Sequence, residues 1–384
     1  DFADDVAGLS GLEPHLFPAW DTLPKDHRIT DETFGARLRV LRAMASDAPP
    51  KIVVTSVPAL LQPVPSRDEM ARGTRTFAVG DEIDPEQLVR ELVALGLEHV
   101  TGIEMPGEFS IHGGIMDIYS PDAENPLRLE FFGDELESIR TFDVETQRKL
   151  EDLEQASITL VTPPMSNDDS NGDRLAGEHF LDYLPANPWI ALVEPTELVG
   201  EGKHYLERLD DPRGYYQVDA TLARCMKHPT VTISALAGDS LEVTCHLRIE
   251  SVERFSGRAG EAIEELGTLL AHDERAVIAC HNEGERDRLG ELIAESKLPA
   301  AGRISLCVGR LTAGFRMVSE RVIVVSDHEL FHRHEVRRAV SKKAAVESRA
   351  IDSFLELSEG DLVVHLSKGI ARFRGIKLLE KGDQ

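Results

Sequence analysis

The stretch PGEFSIHGGIMDIYSP (106–121) admits two incompatible structures. A phosphate-cradling loop runs from a strand into a helix N-terminus, where backbone N–H groups converge on the anion. Here EFSIH precedes the glycine pair and IMDIYS follows it, and both are strand-forming runs. The pattern therefore predicts strand, tight turn, strand. Gly113 and Gly114 set the geometry of a hairpin or bulge, and His112 stands at its corner.

The neighbouring residues extend that reading. IDPEQLVRELVALG (83–96) predicts a helix with Asp84 as N-cap, Pro85 at the first position and Gln87 at the third. Ile83 and Leu88 are spaced as a hydrophobic staple, and Gly96 falls where a terminating glycine belongs. From about 97 to 162 the chain reads as short strands separated by Gly, Pro and Asp turns: LEHVTGIE, GEFSIH, GIMDIYS, PLRLEFFG, DELESIRTFD and ASITLVTP. A small antiparallel sheet carrying one helix is expected over 76–162.

The flanks have a different character. In 1–75, LEPHLFPAW and KIVVTS read as buried strands around a helix, TDETFGARLRVLRAMA (30–45). Phe34, Leu38, Leu41 and Ala45 fall on one face of that helix, and Asp31 and Glu32 suit its N-terminal dipole. Residues 163–257 begin with a polar linker or loop, MSNDDSNGD (165–173). They continue with the strand PWIALVEP, helix within 203–230 and strands within 230–255. A further α/β unit is expected over 258–332, a basic helix or linker over 333–354, and strand, glycine turn, strand over 355–384. The fold class is multidomain α/β.

Bulk properties narrow the function. The 384 residues exceed one ordinary core, and the net charge of −26 opposes general nucleic-acid binding, which needs a basic surface. No run is long and apolar enough for a membrane helix, no signal peptide is evident, and a cytoplasmic location is expected. The first residue is Asp1 and the strand pattern breaks off at EKGDQ, as expected for a fragment of a longer protein. Cys225, Cys245, Cys280 and Cys307 form no CxxC motif and are expected to be buried, reduced thiols.

Chemistry motifs are few. G-x-x-x-x-G-K-[ST] does not occur; EGKHY (201–205) approaches it, but His204 replaces the magnesium-binding hydroxyl and Glu197 the first glycine. No G-x-S-x-G supports a serine nucleophile. HELFH (328–332) matches H-E-x-x-H, whose helical form would bind zinc through His328 and His332 with Glu329 as general base. It directly follows the strand RVIVVSD and is followed by RHEVRRA in place of the metzincin continuation with its third histidine, so a loop is expected, with zinc hydrolysis as the rival. Arg333, Arg337, Arg338, Lys342, Lys343 and Arg349 form a basic stretch, read as a solvated helix face or as a contact for nucleic acid or an acidic partner.

GEFSIHGGIMDIYSP (107–121) and NPLRLEFFGDELESIRTFDVETQRKL (125–150) together resemble the UvrB-homology region of the bacterial transcription-repair coupling factor family. LFPAWDTLP (16–24), ARLRVLRAM (36–44) and IVVTSVPALLQPVP (52–65) are similar to the segment preceding it. VIVVSDHELF (322–331) and VVHLSKGIARFRGIKLLE (363–380) are similar to the strand before, and the start of, the family's CarD-like polymerase-interacting domain. The matches run in order along the chain, although 165–260 matches weakly. The resemblance implies a UvrB-like, helicase-type α/β domain without a phosphate loop, interrupted by a small α+β domain that binds UvrA. A further α/β domain and the beginning of a small β domain, CarD- or Tudor-like, follow. The missing motor would supply ATP and magnesium chemistry and contact double-stranded DNA; no catalytic residue, metal or cofactor is assigned to this chain. The implied partners are UvrA and RNA polymerase, the latter through its β subunit. A UvrB-like helicase is a second rival, but it would need the phosphate loop.

For the UvrA-binding face, the resemblance implies His112, Arg128 and Phe132. Arginine is usual in the family at the position of His112. Arg128 and Phe132 are an even number of residues apart, so they share one side of their strand. An arginine fork beside an aromatic is a common interface hot spot, able to take a partner carboxylate bidentately.

Overall fold

The computed structural model describes residues 2–21, 31–161, 177–235, 243–252, 255, 259–296, 298–326, 329–330, 362–365 and 369–372. The basic stretch from Arg333 to Arg349, the linker 165–173, and His328 and His332 lie outside the described residues. No helix among the described residues is long and apolar enough to cross a membrane.

The hairpin reading of HGG holds. Strands Glu108–His112 and Ile115–Ile118 are antiparallel neighbours, with His112 opposite Ile115 across the two glycines. Gly113 takes φ +62°, a left-handed value that side chains disfavour. Gly114 serves differently: a Cβ there would lie 2.6 Å from the carbonyl oxygen of Phe131 on the next strand. Around this turn, six strands follow one another in chain order: Glu98–His99, Glu108–His112, Ile115–Ile118, Leu127–Phe132, Glu135–Phe142 and Lys149–Leu153. The first pair is parallel and the rest antiparallel.

Helix Pro85–Ala94 covers one face of this sheet. Asp84 caps it, accepting from the backbone N–H of Glu86 and Gln87. Leu88 and Leu92 are buried with Phe109, Met116, Leu129 and Ile139. Strands Thr74–Ala78 and Gln155–Thr159 pair antiparallel where the chain enters and leaves this body.

A second core is discontinuous in sequence. It joins Phe17, Phe34, Leu38, Leu41 and Leu61 to Phe180, Tyr183, Leu192, Tyr205 and Val218, residues from both sides of the six-stranded sheet. Two parallel strand pairs border it, His15–Phe17 with Val53–Thr55 and Ile190–Val193 with Thr230–Ile233. Helix Glu32–Ala45 buries Phe34, Leu38 and Leu41 as periodicity predicts, but Ala45 is exposed and Arg37 is buried. Arg37 is tolerated because its guanidinium donates to Gln62 Oε1 and to the carbonyls of Pro18 and Pro63. It also stacks 4.2 Å from the Phe17 ring and 4.5 Å from that of Trp20. Burial pushes its pKa down to about 9.

The third core lies under a five-stranded sheet ordered Ile249–Ser251, Phe315–Met317, Val322–Ser326, Arg275–Cys280, Ile304–Val308. Arg275–Cys280 is parallel to both its neighbours, as alternating strand and helix predict. Residues 332–384 form a separate unit, within which Leu362–His365 pairs antiparallel with Gly369–Arg372. The cysteine expectation needs correction: Cys225 and Cys280 are buried, but Cys245 and Cys307 are exposed. Both exposed residues sit at sheet margins, Cys307 on the outer strand Ile304–Val308 and Cys245 just before Ile249–Ser251.

Candidate docking interface

One face of the six-stranded sheet packs on helix Pro85–Ala94, and alternation sends every second residue to the other. On strand Leu127–Phe132, Leu127 and Leu129 are buried and Phe131 packs against the core, so Arg128, Glu130 and Phe132 share the opposite face. By strand register, Ser110, Asp117, Arg128, Arg140 and Asp152 form one row across that face. His112, Ile115, Glu130 and Ser138 form the next.

Arg128 and Arg140 stand directly opposite each other, an unfavourable pairing of like charges unless each has a carboxylate. Each has one. Arg128 donates through Nε and Nη2 to the two oxygens of Asp117, both at 2.7 Å, and Nη2 also reaches Gln147 Oε1 at 3.0 Å. Arg140 pairs with Glu130 at 2.5 Å, and Ser138 Oγ donates to the second oxygen of Glu130. The Arg128 guanidinium lies 4.2 Å over the buried ring of Phe142. The Asp117 hydrogen bonds raise its pKa, outweighing the opposing effect of burial.

The fork that would take a partner carboxylate is therefore closed by Asp117. Among the described residues no hydrogen bond uses Nη1, which leaves that edge of the guanidinium for further contact. Phe132 is the opposite case: it is 75% exposed, in contrast to the aromatics of the core. It lies about 13 Å along the strand from Arg128, close to the Gly133 turn. His112 is exposed and donates from Nε2 to the Thr101 carbonyl at 2.6 Å, which puts a proton on Nε2. The three residues thus share one sheet face, His112 two strands from Phe132 and Arg128.

The partners of Arg128 were not singled out in the sequence. Asp117 offered a signal: it interrupts the apolar strand IMDI at a position where alternation turns it away from Met116 and Ile118. Gln147 offered none, since it comes from a turn residue at φ +56°.

Two further motifs fall at least in part within the described residues. Gly202, Lys203 and His204 lie inside helix Pro195–Glu207, so the near-match to a phosphate loop is helical. Glu329 is buried, and its carboxylate accepts from Gly314 N at 2.9 Å, Ser326 N at 2.8 Å and Ser326 Oγ. A carboxylate so engaged anchors the end of strand Val322–Ser326. His328 and His332, the ligands of the zinc reading, lie outside the described residues.

A profile of the UvrB interaction domain matches residues 76–162. The chain is 27% identical to a transcription-repair-coupling factor of Mycobacterium bovis, across 99% of this chain and 38% of the relative. It is 26% identical to that of Bacillus subtilis, across 98% and 39%, and 24% identical to that of Staphylococcus haemolyticus, across 80% and 33%. The chain thus spans less than two fifths of the length of these curated relatives.

Proposed function

We propose, for a chain that carries a UvrB interaction domain and is similar along nearly its whole length to transcription-repair-coupling factors, that it recruits UvrA to stalled RNA polymerase in transcription-coupled excision repair. The helix-free face of the six-stranded sheet is the docking surface. Phe132 is its apolar anchor, Arg128 its cation and His112 its margin. The observation that carries the reading is the 75% exposure of Phe132 on the same strand face as Arg128. Aromatic and arginine side chains dominate interface energetics, and a large aromatic left in water gains most from a partner.

The same resemblance supports a wider reading. The discontinuous core corresponds to a UvrB-like α/β body interrupted by the UvrA-binding body, and the hairpin near the C-terminus to the opening of a domain that contacts the polymerase β subunit. ATP-driven translocation on double-stranded DNA belongs to the part of the relatives this chain does not cover, and the setting is the cytoplasm. Arg337, Arg338, Lys342 and Lys343 are retained as a contact for nucleic acid or an acidic partner. Calorimetry of the chain against UvrA tests the central assignment. Saturable binding is expected, and absence of binding by the folded chain overturns it.

A further inference from the structure

Helix Glu32–Ala45 has two faces. One sends Phe34, Leu38 and Leu41 into the discontinuous core. The other carries Gly35, Arg39 and Arg42, where a spacing of seven residues, close to two turns, puts Gly35 and Arg42 in line. This second face meets the loop that leaves strand Ile115–Ile118.

The contact has little freedom. A Cβ on Gly35 would lie 2.2 Å from the Pro121 carbonyl oxygen and 3.2 Å from its carbon, so the approach is backbone to backbone. Arg42 Nη1 donates to Asp122 Oδ2 at 2.8 Å and to the Ser157 carbonyl at 3.2 Å. The Asp122 side chain is fully covered, and its Oδ1 accepts from Ser120 Oγ and, at 3.4 Å, from Thr159 N. Between these points, Arg39 is near enough to act on the Tyr119 phenol, lowering a pKa that burial raises.

The polypeptide itself joins the two bodies at one neck. There Leu160 N donates to the Gly73 carbonyl at 2.8 Å, and the hydroxyls of Thr74 and Thr159 are 3.3 Å apart. Two adjacent crossings define a hinge line, and the further contacts of Gly35 with Pro121 and of Arg42 with Asp122 and Ser157 restrict rotation about it. Residues 119–122 continue directly from the strand that holds Asp117, the partner of Arg128.

We propose that Gly35 and Arg42 form a positioning surface that locks the six-stranded sheet at a fixed angle to the α/β body, so that Arg128 and Phe132 meet their partner rigidly presented. The inference rests on the docking role of that face, but its geometry can be read without UvrA. With Cys245 and Cys307 replaced by Ser, spin labels at the exposed Glu137 and Glu201 report the distance between the bodies by pulsed dipolar spectroscopy.

The parent chain should give one narrow distance. Gly35→Val and Arg42→Ala should each shift or broaden it, and Arg42→Lys should restore it. UvrA affinity should fall several-fold in Arg42→Ala and return in Arg42→Lys. If Gly35→Val fails to fold, Arg42→Ala carries the test. An unchanged distance in the folded variants overturns the clamp. A broadened distance with undiminished UvrA affinity overturns its role in docking. Failure of the parent chain to bind UvrA bears on the docking face alone and leaves the distance result standing.

Discussion

Arg128 and Asp117 face each other across adjacent antiparallel strands with both fork contacts at 2.7 Å, and the carboxylate is only 8% exposed. Removing the arginine strands a covered carboxylate. Arg128→Ala should therefore cost about 2 kcal/mol of stability in urea unfolding, and Asp117→Asn in the same chain should recover part of it. UvrA binding separates the two duties. It should weaken about tenfold or more in the single variant and stay weak in the double variant. Recovery of affinity together with stability would make Arg128 purely structural.

Phe132 should behave in the opposite way. Its ring is already in water, so Phe132→Ala should change stability by no more than about 0.5 kcal/mol. Its effect should appear in binding, with UvrA affinity lowered by about tenfold or more, as for an aromatic hot spot. Calorimetry with unchanged affinity would remove the ring from the interface.

His179 predicts an acid limb in the stability of the α/β body. Burial, aided by Arg224 and opposed by Asp182, pushes its imidazole down to about 4 from 6.5. Nδ1 accepts from Leu181 N at 3.1 Å, which requires that nitrogen to be unprotonated. Between pH 6.5 and about 4 the unfolded chain binds a proton that the folded chain refuses. Stability from this group is complete above pH 6.5 and falls as pH falls through that window, by about 3 kcal/mol in all. His179→Asn keeps a side-chain acceptor and should flatten this limb in urea midpoints measured between pH 7.5 and 4.5; an equally steep limb in the variant would assign it elsewhere.

Glu329 predicts a structural loss and no loss of metal. Glu329→Gln replaces an acceptor oxygen with an N–H donor facing Gly314 N or Ser326 N, at a cost of about 2 kcal/mol. A chelator should leave the unfolding midpoint of the parent chain unchanged. Stoichiometric zinc in purified protein, lost in His328→Ala, would return the hydrolase reading to contention.

Local chemistry carried much of this fold in the sequence. The Asp84 cap and the Gly113–Gly114 turn were readable because each depends on residues within a few positions of one another. The shared side of Arg128 and Phe132 was readable because alternation along one strand is a local property. What escaped were pairings made across the chain. Arg37 stands three residues after Phe34 and four before Leu41, on the face that periodicity buries, yet the carbonyls and rings that accept its charge there come from Pro18, Pro63, Phe17 and Trp20. Asp117 and Arg128 are 11 residues apart, and only strand register brings them opposite. The partners of the HELFH glutamate escaped for a related reason: Gly314 and Ser326 lie outside the five residues.

The neck at Gly73 and Leu160 bears on the order in which the chain assembles. A core that draws on Leu61 and Phe180 must bring together segments separated by the whole of the six-stranded body. Closing so long a loop as free coil is an entropic burden that grows with the logarithm of its length. Once the intervening sheet has folded on its own core, its two ends already lie one hydrogen bond apart, with Leu160 N on the Gly73 carbonyl. The loop left to close then runs only through residues 62–73 and 160–179 and no longer through the sheet between them. Prior folding of the sheet thereby lowers the entropic cost of assembling the α/β body, and a lesion in the sheet's core should slow maturation of residues that never touch it.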